Sequence, residues 1–240
     1  MKLYVYCLAD VTHALAAPVT GISGARVEVR RVEDFSLLVS EWEGETAPPV
    51  TRENALAHAA VVNSVLNQTT PLPFRFGTVV GDETLQSYIT SHKAALEGKL
   101  SQVRDCVEMS VKIIRNTDTE EIGERSSIAE GGPGARFLKQ KQREIQGGER
   151  RTEQAQQIAA WLHEQLGTFV RQEQLSLCHT EKLIVAAAHL VAREQLGEYR
   201  SHLAEARKTR PELHFLVSGP WAPYTFSNIE LEFKTRFGVS

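Results

Sequence analysis

Two hydrophobic periods take turns along this chain, and their order limits what it can fold into. Leu3, Val5 and Cys7 alternate with Tyr4, Tyr6 and Leu8, the pattern of a strand packed on both faces. ARVEVRRVEDFSLLVSEW continues as a hairpin: Val27 and Val29 alternate with charges, Glu33-Asp34 turn the chain, and Phe35, Leu37 and Val39 alternate with Ser36, Leu38 and Ser40. GETAPPV is a loop by its Gly and Pro content. Thr51 then stands as a helix N-cap with Glu53 in the first turn, and Ala55, Ala59, Val62 and Leu66 recur at helical spacing. PLPFRFGTVVGDE, residues 71–83, follows as another strand that begins after Pro71. The opening order is β-ββ-α-β.

The same alternation of periods continues downstream. Asp82 caps a helix with an apolar stripe of Leu85, Ile89, Leu96, Leu100 and Val103; Gly98 inside it predicts a close backbone contact, because an unneeded helical glycine costs about 1 kcal/mol against alanine. CVEMSVKIIRN alternates cleanly, with Val107, Met109, Val111 and Ile113 on one face. Residues 116–135 are polar and Gly-rich and read as a mobile loop. A long helical region with Ile158, Leu162, Leu166 and Phe169 on its apolar face follows, with a break expected at Gly147-Gly148. KLIVAAAHLVAR suits a buried strand or a helix, and its β-branched and leucine content favours the strand. A helix over Leu196–Lys208 and a strand at LHFLVSG complete β-α-β-α-β.

The expected class is therefore α+β, with two small sheet-plus-helix domains, the N-terminal one ferredoxin-like. The boundaries read from the sequence are 1–81 for the first domain, 82–226 for the second with its long helices, and 227–240 for a C-terminal tail. The tail alternates Ile229, Leu231 and Phe233 with Glu230, Glu232 and Lys234. It reads as an extra edge strand, or as a segment that pairs with the edge of another chain in self-association.

Charge and cysteine content remove several classes of function. Up to Asp105 the chain holds 9 Lys+Arg against 12 Asp+Glu, and beyond it 18 against 18, for a net charge of −3. Neither half carries the basic footprint of a nucleic-acid binder. No run approaches the roughly 18 apolar residues needed to span a membrane, and MKLYVYCLAD, interrupted by Asp10 and then His13, reads as a strand rather than a leader. Cys7, Cys106 and Cys178 lie far apart and read as buried thiols in a reducing compartment, which makes the chain cytoplasmic. His179 and His189 stand ten apart with no HExxH or Cys/His cluster, so neither metal nor cofactor is expected. No GxSxG or paired-carboxylate arrangement points to an enzyme.

Arg75 is the residue that needs an explanation, since it sits between Phe74 and Phe76 in an apolar run. As a continuous strand, residues 73–80 place Phe74, Phe76, Thr78 and Val80 on one face and Arg75, Gly77 and Val79 on the other. With the phenylalanines against the helices, Arg75 lies on the uncovered face and Gly77 leaves room for close approach. Arg75 then either pairs with an acid of the second half or contacts a partner. VSGPWAPYTF, residues 217–226, offers the same pair of readings. Pro220 and Pro223 stiffen it, and Trp221 and Tyr224 are either a staple over the last strand or aromatic anchors for a partner.

LPFRFGTVV resembles the most characteristic segment of the GvpF/GvpL family of gas vesicle proteins. The likeness extends to LYVYCLAD as that family's opening strand, to VEMSVKI after a long helix, and to GARFLKQK as its Gly-x-x-aromatic-Leu helix entry. VSGPWAPYTF is similar to its C-terminal signature, so the resemblance runs from Leu3 to Phe226. Ala222 stands where proline is frequent and Cys7 where glycine is frequent, departures that leave fold and role intact. The resemblance implies two α+β domains and an accessory role in gas vesicle assembly, with no catalytic residues. The implied partners are the very hydrophobic shell protein and other vesicle accessory proteins, met without nucleic acid or membrane.

Residues 136–151 add a basic stretch in which Arg136, Lys139, Lys141, Arg143, Arg150 and Arg151 outweigh Glu144 and Glu149. It reads as a solvated helix face, with Arg136 and Lys139 the candidates for an acidic partner or anionic surface. EGGPGARF sets a Gly-rich loop before it but lacks the Lys-Ser/Thr ending of a phosphate-binding loop. The competing reading is a regulatory or RNA-binding module, since RNA-recognition domains share ferredoxin-like topology and carry aromatic-rich strands. The core placement expected for Phe74 and Phe76 and the acidic balance weigh against it.

Overall fold

The computed structural model describes residues 1–10, 20–115, 133–177, 182–227 and 229. Two compact units emerge: Met1–Glu108 together with Pro220–Ser240, and Met109–Gly219. The division falls after Glu108 and again after Gly219, not at residues 81 and 226.

In the first unit, β1 (Lys2–Asp10) is the central strand, and every side chain from Leu3 to Leu8 is fully buried. β2 (Glu28–Val32) and β3 (Phe35–Glu41) form the expected hairpin, and β1 pairs antiparallel with β3. After α1 (Arg52–Leu66) the chain returns as β4 (Leu72–Pro73) and β5 (Val79–Gly81), both antiparallel to β1. The order β2-β3-β1-β4 is that of a ferredoxin-like sheet. Thr51 caps α1 as expected, its side chain accepting from the Asn54 N–H. The buried face of α1 is nevertheless Asn54, His58, Val61, Val62, Val65 and Leu66, whereas Ala55 is exposed. Asn54 donates to the Pro49 carbonyl at 3.0 Å and His58 bonds to Tyr4, so both polar residues are buried with a partner.

The helix expected after Asp82 is two helices, α2 (Asp82–Ser91) and α3 (Lys93–Val103). They part at His92, where backbone angles of −112° and 15° leave the helical range and the ring stacks on Tyr88 at 4.3 Å. Gly81 rather than Asp82 occupies the cap position of α2, and Asp82 instead pairs with Arg30 of β2. A Cβ at Gly98 would meet nothing within 4 Å, so the close contact expected there is absent.

The second unit repeats the topology in full. β6 (Cys106–Arg115), α4 (Pro133–Leu166), β7 (Val170–Leu177), β8 (Leu183–Ala192), α5 (Leu196–Thr209) and β9 (Leu213–Trp221) follow one another as βαββαβ. Their order is β7-β8-β6-β9, again second-third-first-fourth. The core packs Met109, Val111 and Ile113 of β6 with Ile158, Leu162 and Leu166 of α4, Val185 and Val191 of β8, and Phe215 of β9. KLIVAAAHLVAR is the strand its composition predicts. β7 is an addition to the expected elements: VRQEQLSL gives no period to read, because an edge strand carries too few apolar residues to show one. α4 also runs unbroken through Gly147-Gly148. Most of the loop expected over 116–135, Cys178, His179 and the tail strand apart from Ile229 lie outside the described residues.

Candidate functional site

The segment around Arg75 is a turn and not a continuous strand. β4 pairs Cys7 with Pro73, β5 pairs Tyr4 with Val79, and three residues more than a regular ladder allows lie between them. The excess is taken up by a β-turn in which the Thr78 N–H donates to the Arg75 carbonyl at 3.2 Å and the Thr78 hydroxyl donates to the same oxygen at 2.7 Å. Gly77 sits at φ +87°, a conformation that glycine adopts without steric cost. Arg75 is exposed because it starts this turn, not because it lies on an open sheet face. Phe74 is buried and Phe76 half-buried.

The turn is tied to the core through Tyr4. The Gly77 N–H donates to the Tyr4 oxygen at 3.1 Å, and the Tyr4 hydroxyl is hydrogen-bonded to His58 Nδ1 at 2.8 Å. His58 Nε2 is buried without a partner in hydrogen-bonding geometry. Burial lowers its pKa from 6.5 to about 4, with the Phe74 backbone offsetting part of the shift. Tyr6, Tyr4, Phe76 and Tyr224 surround the imidazole at ring separations of 5.6, 5.8, 5.9 and 6.3 Å.

Tyr224 brings in the second motif. α6 (Tyr224–Ser227) is one short turn, opened by Pro223 and the buried Ala222. Glu108 holds its start: the Thr225 N–H donates to Oε2 at 2.8 Å and the Thr225 hydroxyl to Oε1 at 2.7 Å. Burial pushes the Glu108 carboxyl above its ordinary pKa, against the opposing pull of the two Thr225 bonds. Lys99 Nζ donates to the Ser227 carbonyl at 2.8 Å at the other end, and the Ser227 hydroxyl reaches the Pro73 carbonyl at 3.4 Å. The result is a pocket of about 170 Å³ lined by Pro73, Arg75, Tyr224, Thr225, Ser227 and Ile229.

Of the residues singled out in the sequence, Arg75 and Tyr224 thus meet at this pocket, and Gly77 belongs to the turn that Arg75 starts. Trp221 ends β9 at 42% exposure and does not line the pocket. Arg136 and Lys139 fall within α4, but their side chains lie outside the described residues. Sequence reasoning misses Tyr4, His58, Glu108 and Thr225. A polar side chain becomes a core residue only through its partner, and these partners are up to 117 residues apart. Among the described residues no group of three or more His, Cys, Asp or Glu is placed to hold a metal ion. Nor is any helix there long and apolar enough to cross a membrane.

The family model for the gas vesicle synthesis protein GvpL/GvpF matches residues 2–228. The chain belongs to the GvpL/GvpF family. That membership implies a role in gas vesicle formation, and both converging motifs lie within the matched span. The chain is 25% identical to gas vesicle protein F1 of Halobacterium salinarum over 99% of its own length and 98% of the relative's. It is 24% identical to gas vesicle protein L of a Streptomyces species, over 74% and 70% of the two chains. The crystal structure of GvpF from Anabaena superposes with a TM-score of 0.76 at 21% identity, covering 95% of this chain and 99% of the other. GvpF from Microcystis aeruginosa gives 0.75 with the same coverage. This GvpL/GvpF chain therefore has the α+β architecture of two antiparallel sheets with helices seen in those structures.

Proposed function

We propose that this GvpL/GvpF protein is an accessory factor of gas vesicle assembly that binds the hydrophobic shell protein and keeps it competent to assemble. It works in the cytoplasm, associated with the vesicle, alongside other vesicle accessory proteins. A shell subunit exposes apolar surface before it polymerises, and exposed apolar surface aggregates. A partner that covers such surface reversibly needs rigid aromatic contacts beside a polar group that fixes orientation.

The observation that carries this reading is the convergence of the 75–78 turn and α6 on one pocket. Tyr224 is 38% exposed there beside Arg75, and Trp221 stands nearby in sequence at 42%. The glycine turn, the Tyr4–His58 pair and the Glu108 clamp hold these side chains in place before any partner arrives. Pre-organisation of this kind lowers the entropic cost of binding.

The test is co-purification of the shell protein with wild type, Arg75→Glu and Trp221→Ala, each variant first checked for folding by its thermal melt. A contact surface predicts that a folded variant loses about 2 kcal/mol of binding, roughly a thirtyfold weaker complex. Full retention by both folded variants overturns the assignment of this surface.

A further inference from the structure

We propose that the second unit carries a separate docking groove between α5 and the edge strand β9, built to take an extended acidic segment of a partner protein as an added strand. β9 is the last strand in the order β7-β8-β6-β9, so among the described residues its outer edge has no strand beside it. Unlike the edge strands β2, with Glu28, Arg30 and Arg31, and β7, with Arg171 and Glu173, the stretch Leu213–Val217 has only His214 to guard it. Leu216 and Val217 are exposed there, at 48% and 36%.

A groove of about 360 Å³ runs beside this edge. Leu213 and Phe215 form its apolar floor, Ala204 leaves the helix side shallow, and Arg207 and Lys208 supply a cationic rim, with His214 beside them. Among the described residues that line it, none is acidic. Arg207 makes no ion pair among the described residues, and Lys208 is shared only with the equally exposed Glu205, a surface pair weak enough to be exchanged. Arg210 is already committed, lying over the Trp161 ring at 5.2 Å and reaching Glu212 at 3.4 Å.

An edge strand flanked by a helix is the arrangement in which extended peptides add to a sheet. Main-chain hydrogen bonds to the edge give affinity, and alternate side chains entering the groove give selectivity. Here the alternation fits apolar side chains over Leu213 and Phe215, and the rim charge fits carboxylates. The groove is built wholly from the second unit and owes nothing to the Arg75–Tyr224 pocket.

The probe is a fluorescein-labelled decapeptide of alternating glutamate and leucine, followed by fluorescence polarisation with the full chain. Binding is expected to weaken in about 0.5 M salt, because exposed charges are then screened, and to fall about tenfold or more in the double variant Arg207→Glu, Lys208→Glu. Both side chains are exposed, so the fold is expected to survive, with the thermal melt as check. Methylating alternate backbone nitrogens of the peptide on its edge-facing side is expected to abolish binding, and methylating the other set to leave it. Hydrogen exchange over 213–218 is expected to slow when the peptide is bound.

No binding by the decapeptide, equal binding by the charge-reversed variant, or indifference to both methylated sets each overturns the proposal. So does a concentration-dependent self-association removed by the same double variant, which makes a second copy of this chain the occupant.

Discussion

His189 and Glu173 stand directly opposite each other in the β7–β8 ladder, with His189 Nε2 3.0 Å from Glu173 Oε1. His189 is fully buried, and its Nδ1 accepts from the Tyr199 O–H of α5 at 2.8 Å. Glu173 Oε2 in turn accepts from His163 Nδ1 of α4 at 2.9 Å. One carboxylate thereby joins both helices of the second unit to its edge hairpin. Removing it by Glu173→Ala leaves a buried N–H unpaired, at a cost of about 1–3 kcal/mol. His163 is 65% exposed, so His163→Ala is expected to change stability by less than about 1 kcal/mol. Urea unfolding of the two variants separates a buried network from a surface ion pair.

Acid sensitivity is expected from His58. Its folded pKa of about 4 lies below its ordinary 6.5, so the folded state favours the neutral ring. The stability this contributes is complete above pH 6.5 and is lost as pH falls toward 4, to a total of about 3 kcal/mol at roughly 1.4 kcal/mol per pKa unit. His189 is shifted in the same direction by burial, against the opposing pull of Glu173, and adds to the loss. His58→Gln removes the first contribution. Denaturation midpoints measured at pH 7 and pH 4.5 are expected to move less in this variant than in the wild type.

Strands with apolar residues at every second position, β1, β3 and β6, declare themselves in the sequence, while β8, apolar along nearly its whole length, is told from a helix only by its β-branched and leucine content. β7 does not, because the edge of a sheet needs only a few apolar contacts and VRQEQLSL carries few. The misplaced face of α1 has a related cause: Asn54 and His58 are core residues by virtue of partners at Pro49 and Tyr4, which a period of apolar residues cannot register. PLPFRFGTVV has strand composition on both sides of a turn, so its alternation reads straight through Gly77 where the chain in fact departs from β1. The two motifs are each visible. That they share a pocket depends on a fold that brings Pro73 and Ser227 together across 154 positions.

Two glycines put the turn to the test in opposite directions. Gly77→Ala forces a side chain into φ +87° and is expected to cost about 1–2 kcal/mol, even though the added methyl group would meet only Ala47 at an ordinary 3.7 Å. Gly98→Ala, in the exposed interior of α3 with open space around it, is expected to stabilise by about 0.5–1 kcal/mol. Thermal melts of the pair distinguish backbone conformation from packing. A neutral result at Gly77 would mean that the turn can rearrange.

Glu108 decides how firmly α6 is held. Its carboxyl is raised above the ordinary pKa, so the folded state favours the protonated form and the stability from this group is lost as pH rises through the folded pKa. Glu108→Gln keeps a carbonyl acceptor for Thr225 and removes the buried charge, and is expected to unfold at pH 7 within about 1 kcal/mol of the wild type. Glu108→Ala leaves the Thr225 N–H and hydroxyl without their acceptor and is expected to lose about 1–3 kcal/mol. The loss is local to α6, so proteolysis near Tyr224 is expected to quicken in Glu108→Ala and not in Glu108→Gln. Equal cleavage of the two variants would show that Lys99 and Pro73, and not the carboxylate, secure the segment that carries Tyr224 to the pocket.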